Sequence, residues 1–188
     1  MRLLTLIFSI LAIEIPMSVT AQFRDAKWGW PKGVVRQSEK GVHPLEQVKT
    51  GYGDVLIYKG KLGLYDVSYL YGFRNDSLFI GEYILEEHYI NENNYISAYD
   101  DIKERLYTKY GNPILDDIVW KHTLYQDIKK NWGMAVSLGH LYYHALWELE
   151  HRTNIEIKLQ GQNGICQLII SYTDGKNTLS NKQPYEGL

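Results

Sequence analysis

Hydrophobic and polar residues alternate with a two-residue period in several stretches of the chain. In residues 65–73 an aromatic or aliphatic side chain stands at every second position, and residues 155–160 alternate Ile or Leu with Glu, Lys and Gln. Because successive side chains of a strand point to opposite faces of a sheet, this period is typical of strands with one buried face. Both stretches are therefore predicted to be strands.

Turn-forming residues divide the β-rich part of the chain into separate strands. Asn75, Asp76 and Ser77 favour a turn because their short polar side chains bond the local backbone. The strand 65–73 and the β-rich run 78–89 are thus predicted to pair as a β-hairpin. Four more strands are predicted from their aliphatic and aromatic composition, at residues 54–59, 114–121, 141–150 and 165–172.

A different period, with apolar residues three or four positions apart, predicts one long helix over residues 95–110. Its apolar stripe consists of Tyr99, Ile102, Leu106 and Tyr110. Gly111 ends this helix, and Pro113 prevents its continuation. Residues 31–40 predict a short helix, and residues 123–139 predict one or two short helices that end at Gly139.

The predicted elements follow one another as a helix, three strands, a second helix and three or four strands. Runs of strands between helices predict the α+β class, with an antiparallel sheet and helices on one face. The order also indicates a duplicated αβββ unit, with halves at about residues 22–92 and 93–174. We expect a single domain over residues 22–174 and a disordered polar tail over residues 175–188.

Residues 1–21 have the pattern of a secretory signal peptide. Arg2 supplies the positive start, residues 3–13 are apolar, and Val19 and Ala21 are the small residues that precede a cleavage site. The apolar run is shorter than the roughly 20 residues that span a bilayer, and no later segment approaches that length. We expect export to the periplasm or the extracellular space after cleavage between Ala21 and Gln22, and no membrane span in the mature chain.

Composition argues against several classes of protein. The formal net charge of -2 disfavours a dedicated nucleic-acid binder, which presents an excess of lysine and arginine. Cys166 is the single cysteine, so neither an internal disulfide nor a multi-cysteine metal site can form. It lies in an apolar, strand-like run, where we expect it to be buried.

Tyrosine is unusually frequent, with 16 residues against 4 phenylalanines. By the two-residue period, Tyr65, Tyr69 and Tyr71 lie on one face of a strand. Either helices cover this face, and the hydroxyls then need partners at its rim, or the face is open and offers rigid aromatic anchors for binding. The pattern favours the covered face, and these three tyrosines are the candidate binding residues.

The sequence gives little support for metal binding or catalysis. His140 and His144 are four residues apart, but four residues of a strand span about 13 Å, too far for two ligands of one zinc ion. Adjacent acids such as Glu86 and Glu87 point to opposite faces of a strand, although a carboxylate pair from different strands stays open. We predict no catalytic residues, no metal ligands and no cofactor.

Several short sequences along the mature chain point to one family. They are Phe23-Arg24, Trp28-Gly29, Lys109-Tyr110-Gly111-x-Pro113, Trp120 and Ile155-x-Ile157-x-Leu159. Together they resemble an uncharacterised family of exported bacterial proteins, and this resemblance implies no known activity. The layout is also similar to the small helix-plus-sheet modules of outer-membrane assembly lipoproteins and β-lactamase inhibitor proteins, a likeness of fold that does not fix function. Family members usually have a small or flexible pair where this chain has Trp30 and Pro31.

The sequence therefore favours a non-catalytic exported module that binds another macromolecule, with an envelope protein or a glycan as the expected partner. Two alternatives remain at this stage. One is a hydrolase whose site is assembled across several strands. The other is a carbohydrate-binding module that uses the tyrosine-rich face.

Overall fold

Eight antiparallel strands form one sheet in the part of the chain that the structure, a computed structural model, describes: residues 23–40, 42–50, 53–150 and 152–178. The strands are β1 (Glu46–Thr50), β2 (Gly53–Leu62), β3 (Tyr65–Arg74), β4 (Ser77–Leu85), β5 (Leu115–Trp120), β6 (Leu141–Leu149), β7 (Thr153–Gln162) and β8 (Ile165–Asp174). The helices are α1 (Lys32–Ser38), α2 (Asn93–Tyr110), α3 (Trp132–Ser137) and α4 (Gly175–Thr178), and a 3₁₀ turn, Lys129–Asn131, precedes α3.

Both ends of the chain extend past the described residues. The predicted signal peptide, its cleavage site at Ala21 and Gln22, and residues 179–188 of the predicted tail all lie outside them. The first residues of that tail form α4, one helical turn that follows β8 directly. Among the described helices, none is long and apolar enough to cross a membrane.

The order of strands across the sheet is β1-β2-β3-β4-β8-β7-β6-β5. Each half of the chain supplies a long run of consecutive antiparallel strands after its first helix, and the two runs meet where β4 pairs with β8. This arrangement confirms the predicted α+β class with an antiparallel sheet.

The first half contains a strand that the sequence pattern does not predict. β1 pairs with β2 from Glu46↔Ile57 to Thr50↔Gly53. Its sequence, EQVKT, holds a single aliphatic residue, so no two-residue hydrophobic period marks it. Such a polar strand suits the edge of a sheet, where fewer side chains are buried. The first half therefore has four strands rather than the predicted three, the second half has four of the predicted three or four, and the duplication itself stays a prediction.

α1, α2 and α3 cover one face of this sheet, as predicted. The predicted helix over residues 95–110 is α2, which begins two residues earlier, at Asn93. It buries the stripe Tyr95, Ala98, Tyr99, Ile102 and Leu106. Tyr99 packs on Tyr143 of β6 with ring centres 5.3 Å apart. Beneath the helices every second residue of β6, β7 and β8 is buried over most of each strand, which forms the core.

The segment before α1 is fixed on the same covered face. The ring of Phe23 contacts three other rings at centroid distances of 4.8 to 5.5 Å, those of Tyr71, Tyr83 and Tyr172. It lies directly over Gly81, where a Cβ atom would come within 2.1 Å of the ring, so β4 requires glycine at this position. Trp28 donates its indole N–H to Thr153 Oγ1 at 2.8 Å, which links this segment to β7.

Replacing Leu106 by alanine should lower the free energy of unfolding by about 2–5 kcal/mol, because the substitution leaves a cavity in the core. Glu104→Ala, on the exposed side of the same helix, is the matched control and should change it by less than about 0.5 kcal/mol. Urea denaturation of both variants makes the measurement. Equal losses would mean that α2 packs through a different face.

Candidate functional site

The predicted tyrosine stripe lies on the covered face of the sheet. Tyr69 and Tyr71 of β3 are buried, with 3% and 0% of their surfaces exposed. Tyr65, at the start of the strand, is half-buried and donates its hydroxyl to Asp101 Oδ2 of α2 at 3.1 Å. Burial removes Tyr69 and Tyr71 from contact with an external partner, which is the outcome expected of a covered face.

The hydroxyls of Tyr69 and Tyr71 converge on one carboxylate, that of Glu39 at the end of α1. Both tyrosines donate to it, Tyr69 at 2.9 Å. Arg24 donates to the same carboxylate through Nε at 3.1 Å and Nη2 at 3.4 Å. The Arg24 guanidinium also lies 4.0 Å from the centre of the Tyr69 ring. This cluster attaches α1 and the N-terminal segment to β3.

The Glu39 carboxylate also influences the protonation of its neighbours. Burial and the hydrogen bond to Glu39 raise the pKa of Tyr69 to about 12, and the same two causes raise the pKa of Tyr71 above its ordinary range. Burial alone would lower the pKa of Arg24, but the charges around it, Glu39 first, raise it. Near neutral pH the cluster is therefore a fixed set of donors around one acceptor, not a site of proton transfer.

Glu39→Ala should destabilise the protein by about 3 kcal/mol, because it leaves a part-buried guanidinium and two buried hydroxyls without their acceptor. The control is Lys61→Ala, which removes an exposed ion pair with Asp66 and should leave stability unchanged. Denaturant titration of both variants provides the test. A Glu39 variant as stable as the control would contradict the anchoring role.

The opposite face of the sheet, which we call the open face, carries no described helix. Its residues alternate with the buried ones, and register aligns them across neighbouring strands. Nine aliphatic side chains of this face are half-buried: Val48, Val55, Ile57, Leu70, Ile80, Ile84, Leu115, Leu146 and Ile169. Because no described helix covers this face, their neighbours on adjacent strands are what partly shields them from solvent. An apolar sheet face of this width is a candidate interaction surface.

A group of polar side chains, which we call the polar centre, lies in the middle of the open face. Its members are Glu82, His144, Glu156, Lys158 and Ser171. Ser171 donates its hydroxyl to Glu82 Oε1 at 2.8 Å. Glu156 contacts His144 Nε2 at 2.7 Å and Lys158 Nζ at 2.6 Å.

Two basic neighbours of Glu156 lower the pKa of its carboxyl group. Burial would raise the pKa of Glu156, but its contacts with His144 and Lys158 outweigh burial and lower it. The Ser171 hydroxyl bonds a carboxylate rather than an imidazole, unlike the serine of a serine–histidine nucleophile. The arrangement is thus suited to recognition by fixed charges and hydrogen bonds.

His140 and His144 are separate in the fold. The His140 ring stacks on His122 with centres 4.8 Å apart, whereas His144 belongs to the polar centre. Within the described ranges there is no group of three or more His, Cys, Asp or Glu residues placed to hold a metal ion. Cys166 is half-buried, and burial raises the pKa of its thiol to about 11, which disfavours the nucleophilic thiolate.

A shallow cleft of about 290 Å³ lies on the covered side, between α2 and β5. Lys103 and Asp116 face each other in it, with Nζ 3.0 Å from Oδ2, and Tyr107 and Trp147 supply aromatic surface. The indole N–H of Trp147 is already bonded to the carbonyl of Gly111 at 2.9 Å. The cleft falls just below the usual range of small-molecule sites, roughly 300–1,000 Å³.

The polar centre was not predicted from the sequence. Glu156 and Lys158 could be placed on a half-exposed strand from alternation alone. Their proximity to Glu82 and Ser171 depends on β4 and β8 pairing, which joins residues 89 positions apart in sequence. No local pattern carries that information. Comparisons of the chain with family models, curated proteins and solved structures gave no match.

Proposed function

We propose that the protein is a non-catalytic exported binding module that holds a protein of the bacterial envelope on its open face. The observation that carries the proposal is the one-sided covering of the sheet: the described helices pack on one face and leave a half-apolar face without a layer. Protein interfaces combine apolar side chains with about one hydrogen bond per 100–200 Å², so the aliphatic residues and the polar centre can both contribute to one.

The dimensions of the open face support a protein as the partner. Eight strands at about 4.8 Å spacing span about 34 Å, and ten-residue strands are about 33 Å long. A stable protein interface buries about 800 Å² on each partner, so the open face is large enough for one. A sheet surface is also rigid, which lowers the entropic cost of association.

Charge on the open face indicates the chemistry of the partner surface. The described side chains of this face include six carboxylates and four cations. The carboxylates are Asp66, Glu82, Glu86, Asp117, Glu148 and Glu156, and the cations are Lys59, Lys61, Arg74 and Lys158. We expect the partner to present aliphatic side chains around at least one lysine or arginine that reaches Glu82.

The two alternatives have less support. A carbohydrate module would need Tyr69 and Tyr71 accessible for stacking on sugar rings, and both are buried. A serine hydrolase site across strands would need a hydroxyl activated by a histidine, whereas Ser171 is bonded to the Glu82 carboxylate, which is a weaker base. The binding module accounts for the open face without further assumptions.

Site-specific photo-crosslinking in the producing cell tests the proposal. A photoreactive residue at Leu70 or Ile169 should form one discrete adduct with an envelope protein, because both positions lie on the open face. The same residue at Glu104, on the solvent side of α2, is the control and should give none. Adducts of equal yield from both sides would contradict an open-face site.

The adduct partner can then be purified and its affinity measured by calorimetry. Leu70→Asp and Ile169→Asp should each weaken binding at least tenfold, ~1.4 kcal/mol or more, while the Glu104→Ala control binds like the parent. Thermal melting establishes that each variant is folded. A folded Ile169→Asp protein with unchanged affinity would refute the open-face proposal.

Export is a second part of the proposal, and the N-terminus tests it. The protein recovered from the periplasm or the medium should begin at Gln22, because Val19 and Ala21 satisfy the small-residue rule for cleavage. N-terminal sequencing makes the measurement. Recovery of a product that keeps residues 3–13, or of the cleaved protein in the cytoplasm, would contradict export by this signal.

A further inference from the structure

Four connections of the fold meet at one end of the sheet, which we call the loop end. They are the β2–β3 turn (63–64), the β4–α2 loop (86–92), the β5–β6 connection (121–140) and the β7–β8 turn (163–164). The register places them together, because Leu62↔Tyr65, Val67↔Leu85, Gln162↔Ile165 and Trp120↔Leu141 are pairs at this end.

Each of these connections presents an exposed aliphatic residue. Leu64 is 84% exposed, Ile90 is fully exposed, and Leu124 is 61% exposed. Ile165, the first residue of β8, is 70% exposed. The β5–β6 connection adds Ile128, Met134 and Leu138. Isolated exposed aliphatic residues are ordinary, but one or more on every connection at the same end is a pattern that needs an explanation.

The opposite end of the sheet differs. The β3–β4 turn consists of Asn75 and Asp76, and the residues described after β6 are Glu150 and Arg152. Of the exposed aliphatic residues, Ile114 in the α2–β5 connection and Val34 in the first turn of α1 lie there. Exposed aliphatic residues are thus concentrated at the loop end.

The β5–β6 connection adds residues that favour a membrane interface. The Trp120 and Trp132 rings pack with centres 5.6 Å apart, and the Trp132 indole N–H donates to the carbonyl of Gln126 at 3.0 Å. Tryptophan of this kind is enriched where apolar and polar phases meet. The connection also holds three lysines, Lys121, Lys129 and Lys130, against one acid, Asp127.

The charge at the loop end is therefore uneven. Residues 121–140 have a formal charge of +2, although the whole chain has −2. Near the β2–β3 turn and the β4–α2 loop acids prevail, namely Asp66, Glu86, Glu87 and Glu92. Attraction to an anionic surface would act through the β5–β6 side of the loop end.

We infer that the loop end docks on a phospholipid bilayer, with its aliphatic tips inserted at the interface and its β5–β6 lysines beside anionic headgroups. The tips belong to separate turns spread over about 24 Å, five strand spacings of about 4.8 Å. An extended apolar medium can receive all of them at once, whereas a protein pocket would receive one or two. Of the four tips, only Ile165 shares the register of the open face, so docking would leave most of the open face free for its partner.

Vesicle co-sedimentation of the exported protein tests the inference. Vesicles of phosphatidylcholine mixed with phosphatidylglycerol should bind the protein. A combined Leu64→Ser, Ile90→Ser, Leu124→Ser and Ile165→Ser variant should bind at least about tenfold more weakly, because aliphatic insertion drives the partition. The control replaces three exposed residues away from this end, Val34→Ser, Tyr107→Ser and Ile114→Ser, and should bind like the parent.

The lysines give an independent measurement. Combined Lys121→Gln, Lys129→Gln and Lys130→Gln substitutions should abolish the preference for phosphatidylglycerol over pure phosphatidylcholine and the salt dependence of binding, without altering the fold. Circular dichroism melting establishes that all variants are folded. Failure of the parent protein to bind either vesicle would overturn the inference, as would equal binding by the folded four-residue variant and its control.

Discussion

The pairing of β4 with β8 is the interaction on which the rest of the structure depends. It joins the two runs of strands through five residue pairs, from Ile80↔Thr173 to Ile84↔Ile169. A run of four strands is narrow, and its helix would cover it incompletely. Joined, the runs make one sheet wide enough for α1, α2 and α3 to share a face, while Phe23 and Trp28 contact strands of both halves.

The short helix over the first half of the sheet explains why large tyrosine rings fill the core there. α1 has seven residues and covers its half of the sheet with little aliphatic bulk. The large rings of β2 and β3 fill that space, and buried hydroxyls are usually hydrogen-bonded, although that of Tyr58 in β2 has no such partner among the described residues. Glu39 supplies the acceptor for two of them, and Arg24 neutralises its charge. The tyrosine-rich stripe therefore fills the core beneath a short helix.

One-sided covering also distributes the functional surfaces. The covered face is filled by side chains, so the surfaces left open to a partner are the open face and the connections at the ends of the sheet. Of the candidate residues that the sequence suggested, Tyr65, Tyr69 and Tyr71, the last two belong to the core and Tyr65 is half-buried. Glu82 and Ser171 become neighbours only when β4 and β8 pair, so strand register places them together. A binding site assembled from several strands has no local sequence signature.

The sequence by itself determined the elements with strong local periods. The two-residue alternation of residues 65–73 and 155–160 marked β3 and β7, and the apolar stripe of residues 95–110 marked α2. Periodicity is a property of neighbouring residues, so it can be read without knowledge of the fold. The tertiary structure alone decided the β1 pairing and the order of strands across the sheet. Those features depend on contacts between segments that are distant in sequence. The residue pattern of one segment does not reveal which other segment it will contact.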